Sequence, residues 1–267
     1  MLLREVEYAR PASVQEAVRL LSGHDGARAL AGGQTLVNVM KARAASPDML
    51  VDLNGLEDLK GIDLASDGTL SIGAMVTYSE LLGAAEARAR PILAEVCAQI
   101  ADVQVRNRGT VGGNVCSNDP TNHLPPLMVS LGATMHIIGE DGERSVPAEE
   151  FFLGVYMTAA GPGELLTKIT VPPGKSDGFA SVAIGKDGTC LVNAAASVNG
   201  GTRVAIGCVD AVPVLLETES PEEDAVRAAV QGANLDPPSD VHASADYRRH
   251  LAEVVAVRAV AQARGKS

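Results

Sequence analysis

Ala31-Gly32-Gly33-Gln34-Thr35-Leu36 joins an apolar run over residues 27–31 to an amphipathic stretch over residues 34–42. A glycine pair between a strand and a helix lets the backbone take positive φ and removes side chains that would hold a ligand away. The N–H groups of such a turn and of the helix behind it converge on one spot. That spot favours an anion, each negative charge gaining about 0.3–1 kcal/mol from the helix dipole. Thr35 adds a hydroxyl. A plain strand-to-helix turn would look the same, so one copy does not decide. A second copy, Thr110-Val111-Gly112-Gly113-Asn114, has Thr110 and Asn114 as side-chain donors, and Arg106 and Arg108 lie just upstream. Two such turns, each set against apolar elements, point to one shared anionic ligand.

The flanking sequence gives these turns a frame. Ser13-Val14-Gln15-Glu16 has capping-box spacing and opens a predicted helix that stops near Gly23. Strands are predicted over residues 27–31 and 49–53, which makes residues 1–57 a small βαβ-like unit. Asp67-Gly68 and Asp141-Gly142 mark hairpins, Thr77-Tyr78-Ser79-Glu80 repeats the capping box, and residues 91–100 and 125–131 read as helices. Residues 101–123 are polar and glycine-bearing and read as an irregular functional loop. The turn-rich stretch 172–178 is the expected boundary between a second unit, 58–173, and a third, 178–267. The third unit reads as antiparallel strands over 179–184, 191–198 and 203–208, followed by helices over 222–231 and 244–264. The last helix carries Leu251, Val254, Val255, Val257 and Val260.

A formal charge of −11 opposes nucleic-acid binding, which depends on basic side chains, and means that any phosphate must be held by local donors. The N-terminus has no signal-type apolar segment and no run reaches membrane-spanning length, so a soluble cytoplasmic protein is expected. Cys97, Cys116, Cys190 and Cys208 show no Cys-x-x-Cys pair and are expected to be free thiols rather than disulfides or cluster ligands.

Three decoys fail. Gly174-Lys175-Ser176 resembles the end of a phosphate-binding loop, but the motif's first glycine would fall at Ile169. No Gly-x-Gly-x-x-Gly occurs, which removes a nicotinamide site. His123 has no second His or Cys at metal-ligand spacing, and no nucleophile–histidine pair can be inferred.

The turns at 31–36 and 104–114, with Asp119-Pro120, Phe151-Phe152-Leu153-Gly154-Val155-Tyr156, Gly163-Glu164-Leu165-Leu166 and Asp246-Tyr247-Arg248, resemble the FAD-binding medium subunit of molybdenum hydroxylases over essentially the whole chain. The resemblance implies an α+β, vanillyl-alcohol-oxidase-type (PCMH-like) fold. Two α/β subdomains would hold FAD, followed by a C-terminal sheet-and-helix domain. FAD would be held by Ala31, Gly32, Gly33, Gln34, Thr35 and Leu36, by Thr110, Gly112, Gly113 and Asn114, and by Asp119, His123, Leu165 and Lys186. At His123 relatives often carry an acid, and neutral histidine accepts a hydrogen bond through one tautomer only. Some relatives also insert a cysteine-rich loop for an extra cluster, which these four cysteines do not match. Molybdopterin would belong to a large partner subunit and two [2Fe–2S] clusters to a small one, and electrons would pass through FAD to an external acceptor. The chain itself then needs no catalytic acid, base, nucleophile or metal. Two alternatives remain open: a stand-alone flavin oxidase of the same superfamily, and a scaffold subunit without flavin.

Overall fold

The computed structural model of the chain describes residues 3–185 and 188–265. The N-terminal part consists of β1 (Glu7–Ala9), α1 (Val14–Gly23), β2 (Ala27–Leu30), α2 (Leu36–Lys41) and β3 (Met49–Asp52). The strands form one parallel sheet in the order β1-β3-β2. Ser13 caps α1 by accepting from the Glu16 N–H, but the Glu16 carboxylate reaches back to the N–H of Ala12, one residue before the expected partner. Val14, Ala17, Val18 and Leu21 of α1 pack with Met49 and Val51 of β3 in a first apolar core. Strand β1 was not expected from sequence. It has only three residues, no alternation, and is defined by pairing with β3.

The central part begins with the hairpin β4 (Ile62–Leu64) and β5 (Leu70–Gly73). The short helices α3 (Tyr78–Gly83), α4 (Ile92–Cys97), α5 (Val103–Arg106), α6 (Val111–Ser117) and α7 (Leu124–Ser130) follow. Then come β6 (Thr134–Gly139), β7 (Gly142–Pro147), α8 (Ala148–Phe151), the small hairpin β8 (Phe152–Gly154) and β9 (Met157–Thr158), and β10 (Leu165–Val171). Thr77 and Glu80 form the full reciprocal capping box on α3. The sheet runs β4-β5-β10-β6-β7, antiparallel throughout. The stretch 101–123, expected to be irregular, instead holds α5 and α6, capped by Asp102 and Thr110. Both are too short for a 3.6-residue pattern to register, and only their caps mark them.

The C-terminal part is a four-stranded antiparallel sheet of β11 (Asp177–Ala183), β12 (Cys190–Ser197), β13 (Thr202–Gly207) and β14 (Val214–Thr218), followed by α9 (Glu223–Gly232) and α10 (Ala245–Arg264). Helix α10 lies across β11 and β12. Its buried stripe is Leu251, Ala252, Val255, Ala256, Ala259, Val260 and Ala263, while Val254 and Val257 are only half-buried. Small side chains bring the helix so close that a Cβ on Gly178 would lie 2.8 Å from the Ala263 nitrogen. Leu251, Val255 and Val260 lie on this face as expected, and the close approach fills the positions between them with alanines.

Arg90 joins the central and C-terminal parts. Its guanidinium pairs with buried Asp177 at 2.7 and 2.8 Å, reaches Ser197 at 3.2 Å and donates to the Pro172 carbonyl. Gly174 lies flat against it, since a Cβ there would be 2.7 Å from the guanidinium carbon. The glycine that resembled a phosphate loop is therefore required by an arginine.

Candidate functional site

The first glycine turn leaves the carboxyl end of β2 and enters α2. Ligands of open parallel sheets gather at such strand ends. Gly33 takes φ +72°, which a side chain would resist, and the Gln34 amide closes the turn on the Gly32 carbonyl at 3.1 Å. Thr35 stands at the N-cap of α2 without a side-chain hydrogen bond to the helix. Among the described residues, no protein acceptor meets the main-chain N–H groups of Gly33, Gln34 and Thr35. These are half-buried donors in an acidic protein with nothing internal to donate to.

A polar relay on the neighbouring strand holds the turn from behind. The Asn54 amide donates to the Ala31 carbonyl at 3.1 Å and to Asp52 Oδ1 at 2.6 Å, and the Asn54 N–H meets the same oxygen at 3.0 Å. Tyr8 donates its hydroxyl to Asp52 Oδ2, and Arg10 lies 3.8 Å from that oxygen. Burial pushes the Asp52 pKa up, but the donors Tyr8 and Asn54 and the charge of Arg10 outweigh it and hold it below its ordinary value. Asp52 and Asn54 were not found from sequence. The available signal was an Asp-x-Asn at the end of a predicted parallel strand.

The second glycine turn is the first turn of α6. Its main-chain donors are engaged: Val111 N–H with the Val76 carbonyl and Gly112 N–H with that of Ala74, both at 2.9 Å. Gly113 N–H meets Thr110 Oγ1 at 3.0 Å, and Asn114 N–H the Thr110 carbonyl at 3.0 Å. The turn therefore offers side chains rather than N–H groups. Thr110 and Asn114 are buried, and Asn114 Oδ1 is a buried oxygen with no hydrogen-bond partner. Burial raises the pKa of neighbouring Tyr78, partly offset by a hydrogen bond from Asn114. Arg106 is occupied by the carbonyls of Ile100 and Ala101. Arg108 is exposed and makes no ion pair among the described residues.

The two turns meet. A Cβ added to Gly32 would sit 2.7 Å from the Arg108 carbonyl carbon and 2.9 Å from Gly109 Cα, and one added to Gly113 would lie 3.4 Å from Ala31 Cβ. Gly112 in turn packs on Ala74, where a Cβ would lie 2.8 Å from its Cα. Glycine at 32 and 112 is thus demanded by backbone against backbone. Contact between the turns brings the segment with the open donors of 33–35 against the segment that carries Thr110 and Asn114, and the two together are suited to a phosphate-type anion. The residues present fit FAD on this observation and on the orphaned Asn114 oxygen.

Other predicted residues fall around this centre. Asp119 Oδ1 accepts from Thr121, and Oδ2 accepts from the Tyr156 hydroxyl at 3.0 Å. Next to it, buried Asn118 takes a left-handed φ of 38° and donates to the carbonyls of Gly154 and Met157, tying α6 to the β8–β9 hairpin. His123 turns toward the C-terminal sheet. Its ring lies 5.1 Å from that of Phe179, and Nδ1 contacts the Asn193 amide at 3.2 Å. The structure therefore engages His123 with the third part of the chain rather than with the two glycine turns. The Leu165 side chain is buried in the first core, against which Ala31 also packs, so it backs the turn instead of lining it. Lys186 lies outside the described residues.

Residues 4–174 match the family described as the FAD binding domain in molybdopterin dehydrogenase. The carbon monoxide dehydrogenase medium chain of Afipia carboxidovorans is 38% identical, over 100% of this chain and 99% of that one. The glyceraldehyde dehydrogenase medium chain of Sulfolobus acidocaldarius is 34% identical, over 96% and 97%. A solved structure of reconstituted CO dehydrogenase from Oligotropha carboxidovorans superposes with a TM-score of 0.93 at 34% identity, covering both chains fully. With the paired glycine turns in contact and the match extending over most of the sequence, the chain belongs to the family of FAD-binding domains of molybdopterin dehydrogenases.

Proposed function

We propose that this chain is the FAD-carrying electron-transfer subunit of a molybdenum hydroxylase complex. It would stand between [2Fe–2S] clusters in a small partner subunit and an external acceptor, substrate being oxidised at molybdopterin in a large one. FAD, when bound, supplies the redox chemistry, and the chain supplies binding and orientation. The observation that carries this proposal is the contact between the two glycine turns, with unmatched N–H donors on one and the Thr110 and Asn114 side chains on the other.

In this proposal the N–H groups of Gly33, Gln34 and Thr35 and the hydroxyl of Thr110 hold the pyrophosphate. Asn114 Oδ1 accepts from a cofactor donor, while Asp119, fixed by Thr121 and Tyr156, borders the cleft. Residues 1–57 and 58–173 form its two walls, and 178–267 form a third unit facing the partners. No described helix is long and apolar enough to cross a membrane, and we place the protein in the cytoplasm.

An absorption spectrum of the purified chain tests this directly. Flavin bands, present as isolated or after adding FAD, are expected. Their absence under both conditions would leave the scaffold alternative, and substrate turnover by the chain alone would leave the oxidase. Gly33→Asp and Gly113→Asp should each abolish FAD retention by setting a carboxylate against the pyrophosphate. Folded variants that keep stoichiometric FAD would place the pyrophosphate elsewhere.

A further inference from the structure

Cys190 on β12 and Cys208, one residue past the end of β13, come together on one face of the C-terminal sheet. The register pairs Asn193 with Gly207, so Cys208 falls diagonally across from Cys190, beyond the last paired residue of its own strand. The wholly buried Asn193 amide reaches both sulfurs, with Nδ2 at 3.6 Å from Cys190 Sγ and 3.7 Å from Cys208 Sγ. The same nitrogen lies 3.2 Å from His123 Nδ1 and 3.2 Å from the Asn122 carbonyl. The oxygen at the other end of this amide is buried with no hydrogen-bond partner.

A buried amide ordinarily satisfies both ends. Here the two N–H hydrogens are shared among the Asn122 carbonyl, the His123 ring and both sulfurs while the amide's own oxygen goes unmet, which leaves the two thiols around one donor. Cys208 also takes φ +66°, a left-handed backbone rare outside glycine and asparagine, and such strain gathers at functional positions.

We propose that Cys190 and Cys208 form a reversible dithiol–disulfide couple oxidised by small peroxides, with Cys190 as the attacking thiolate and Cys208 as the resolving thiol. Hydrogen bonds from Cys208 and His123 outweigh burial and pull the Cys190 pKa well below the usual thiol range. The hydrogen bond to Cys190 and burial push that of Cys208 up. Asp119 and Arg248 also face the pair, their charges acting on Cys208 in opposite directions. The thiolate is the nucleophile in such chemistry, so the roles divide in this order.

In the first step Cys190 sulfur attacks one peroxide oxygen. The S–O bond forms, the O–O bond breaks, and the departing hydroxide takes the proton that Cys190 had released. In the second step Cys208 sulfur attacks the sulfenic sulfur of Cys190. The S–S bond forms, the S–O bond breaks, and the Cys208 proton leaves with the hydroxide as water. Two thiols lose two electrons, and one peroxide becomes two waters. Because Cys208 lies outside the strand ladder, the sulfurs can close without breaking sheet pairing.

The protein carries its own reference thiols. Cys97 is buried and Cys116 partly exposed, and desolvation raises the pKa of each to about 12, so neither should hold a thiolate at neutral pH. The test is hydrogen peroxide titration of the purified full-length chain, followed by denaturing alkylation, intact mass and peptide mapping. The alkylatable thiols should fall from the four of the sequence to those of Cys97 and Cys116. A peptide linking Cys190 to Cys208 should form, and dithiothreitol should restore all thiols. In Cys208→Ser the reaction should stop at a Cys190 sulfenic acid that dimedone captures, and Cys190→Ser should lose the peroxide response. Full alkylation after peroxide, oxidation of Cys190 to the sulfinic acid while Cys208 stays free, or loss of Cys97 and Cys116 at the same rate would each overturn the couple. The outcome does not depend on whether flavin is bound.

Discussion

Replacing Gly32 with alanine puts a methyl carbon 2.7 Å from the Arg108 carbonyl carbon and 2.9 Å from Gly109 Cα. Ordinary carbon contacts begin near 3.4 Å, so the two turns must part by several tenths of an ångström or more. The neighbour is backbone, pinned by the Tyr78 N–H donating to the Gly109 carbonyl at 3.1 Å and by the bridge between Thr77 and Thr110. No side chain can swing away. Overpacking of this kind costs about 1–3 kcal/mol. If the apposed turns are the FAD-competent arrangement, that cost falls on binding, and at about 1.4 kcal/mol per tenfold the FAD affinity should weaken roughly 5- to 150-fold. The assay is titration of apoprotein with FAD by flavin fluorescence, with circular dichroism showing that the variant is folded. Gly142→Ala serves as control, since its φ is +107° but no atom lies within 4 Å of the added Cβ. It should lose some stability and keep its FAD affinity. A folded Gly32→Ala protein whose FAD affinity stays within twofold of the parent would refute the claim that contact between the turns builds the site.

Three further outcomes are expected. Asn54→Ala removes the donor to the Ala31 carbonyl, and at about 1 kcal/mol for one hydrogen bond FAD affinity should fall about fivefold in the same titration. Unchanged affinity with lowered stability would make Asn54 merely structural. Asp177→Ala strands the buried Arg90 guanidinium and should cost about 3–5 kcal/mol in urea unfolding, more than a paired Arg90→Met/Asp177→Leu replacement. Asp52 has a folded pKa below its ordinary value, so the unfolded chain binds its proton more readily. Its contribution is complete above about pH 4 and is lost as pH falls through the folded value. Asp52→Asn should flatten this acid limb when urea midpoints are compared between about pH 2.5 and 5.

The elements legible in the sequence are those whose information is local. The Ser13 and Thr77 caps, the Asp67-Gly68 and Asp141-Gly142 hairpins and the glycine pairs act through neighbours a few residues away. The whole-chain resemblance pointed to the family that the match over residues 4–174 shows. What stayed hidden is set by packing between distant segments. Strand β1 exists because β3 pairs with it. On α10 the periodicity marks Leu251, Val255 and Val260 correctly, whereas the alanines beside them are set by the close approach of the strand bearing Gly178.

The site divides along the same line. By itself the sequence determined that two Gly-Gly turns exist, that the protein is too acidic to hold phosphate by its overall field, and that Gly33 suits a positive φ. Only the tertiary structure decided that Gly32 faces Arg108 and Gly109, and that one turn has open N–H donors while the donors of the other are spent internally. It also decided that His123 belongs with Asn193, Cys190 and Cys208. Conformational preference resides in single residues and their near neighbours, and sequence carries it. Which groups are left without a partner is a property of the whole fold, because each partner is a distant segment brought close by burial.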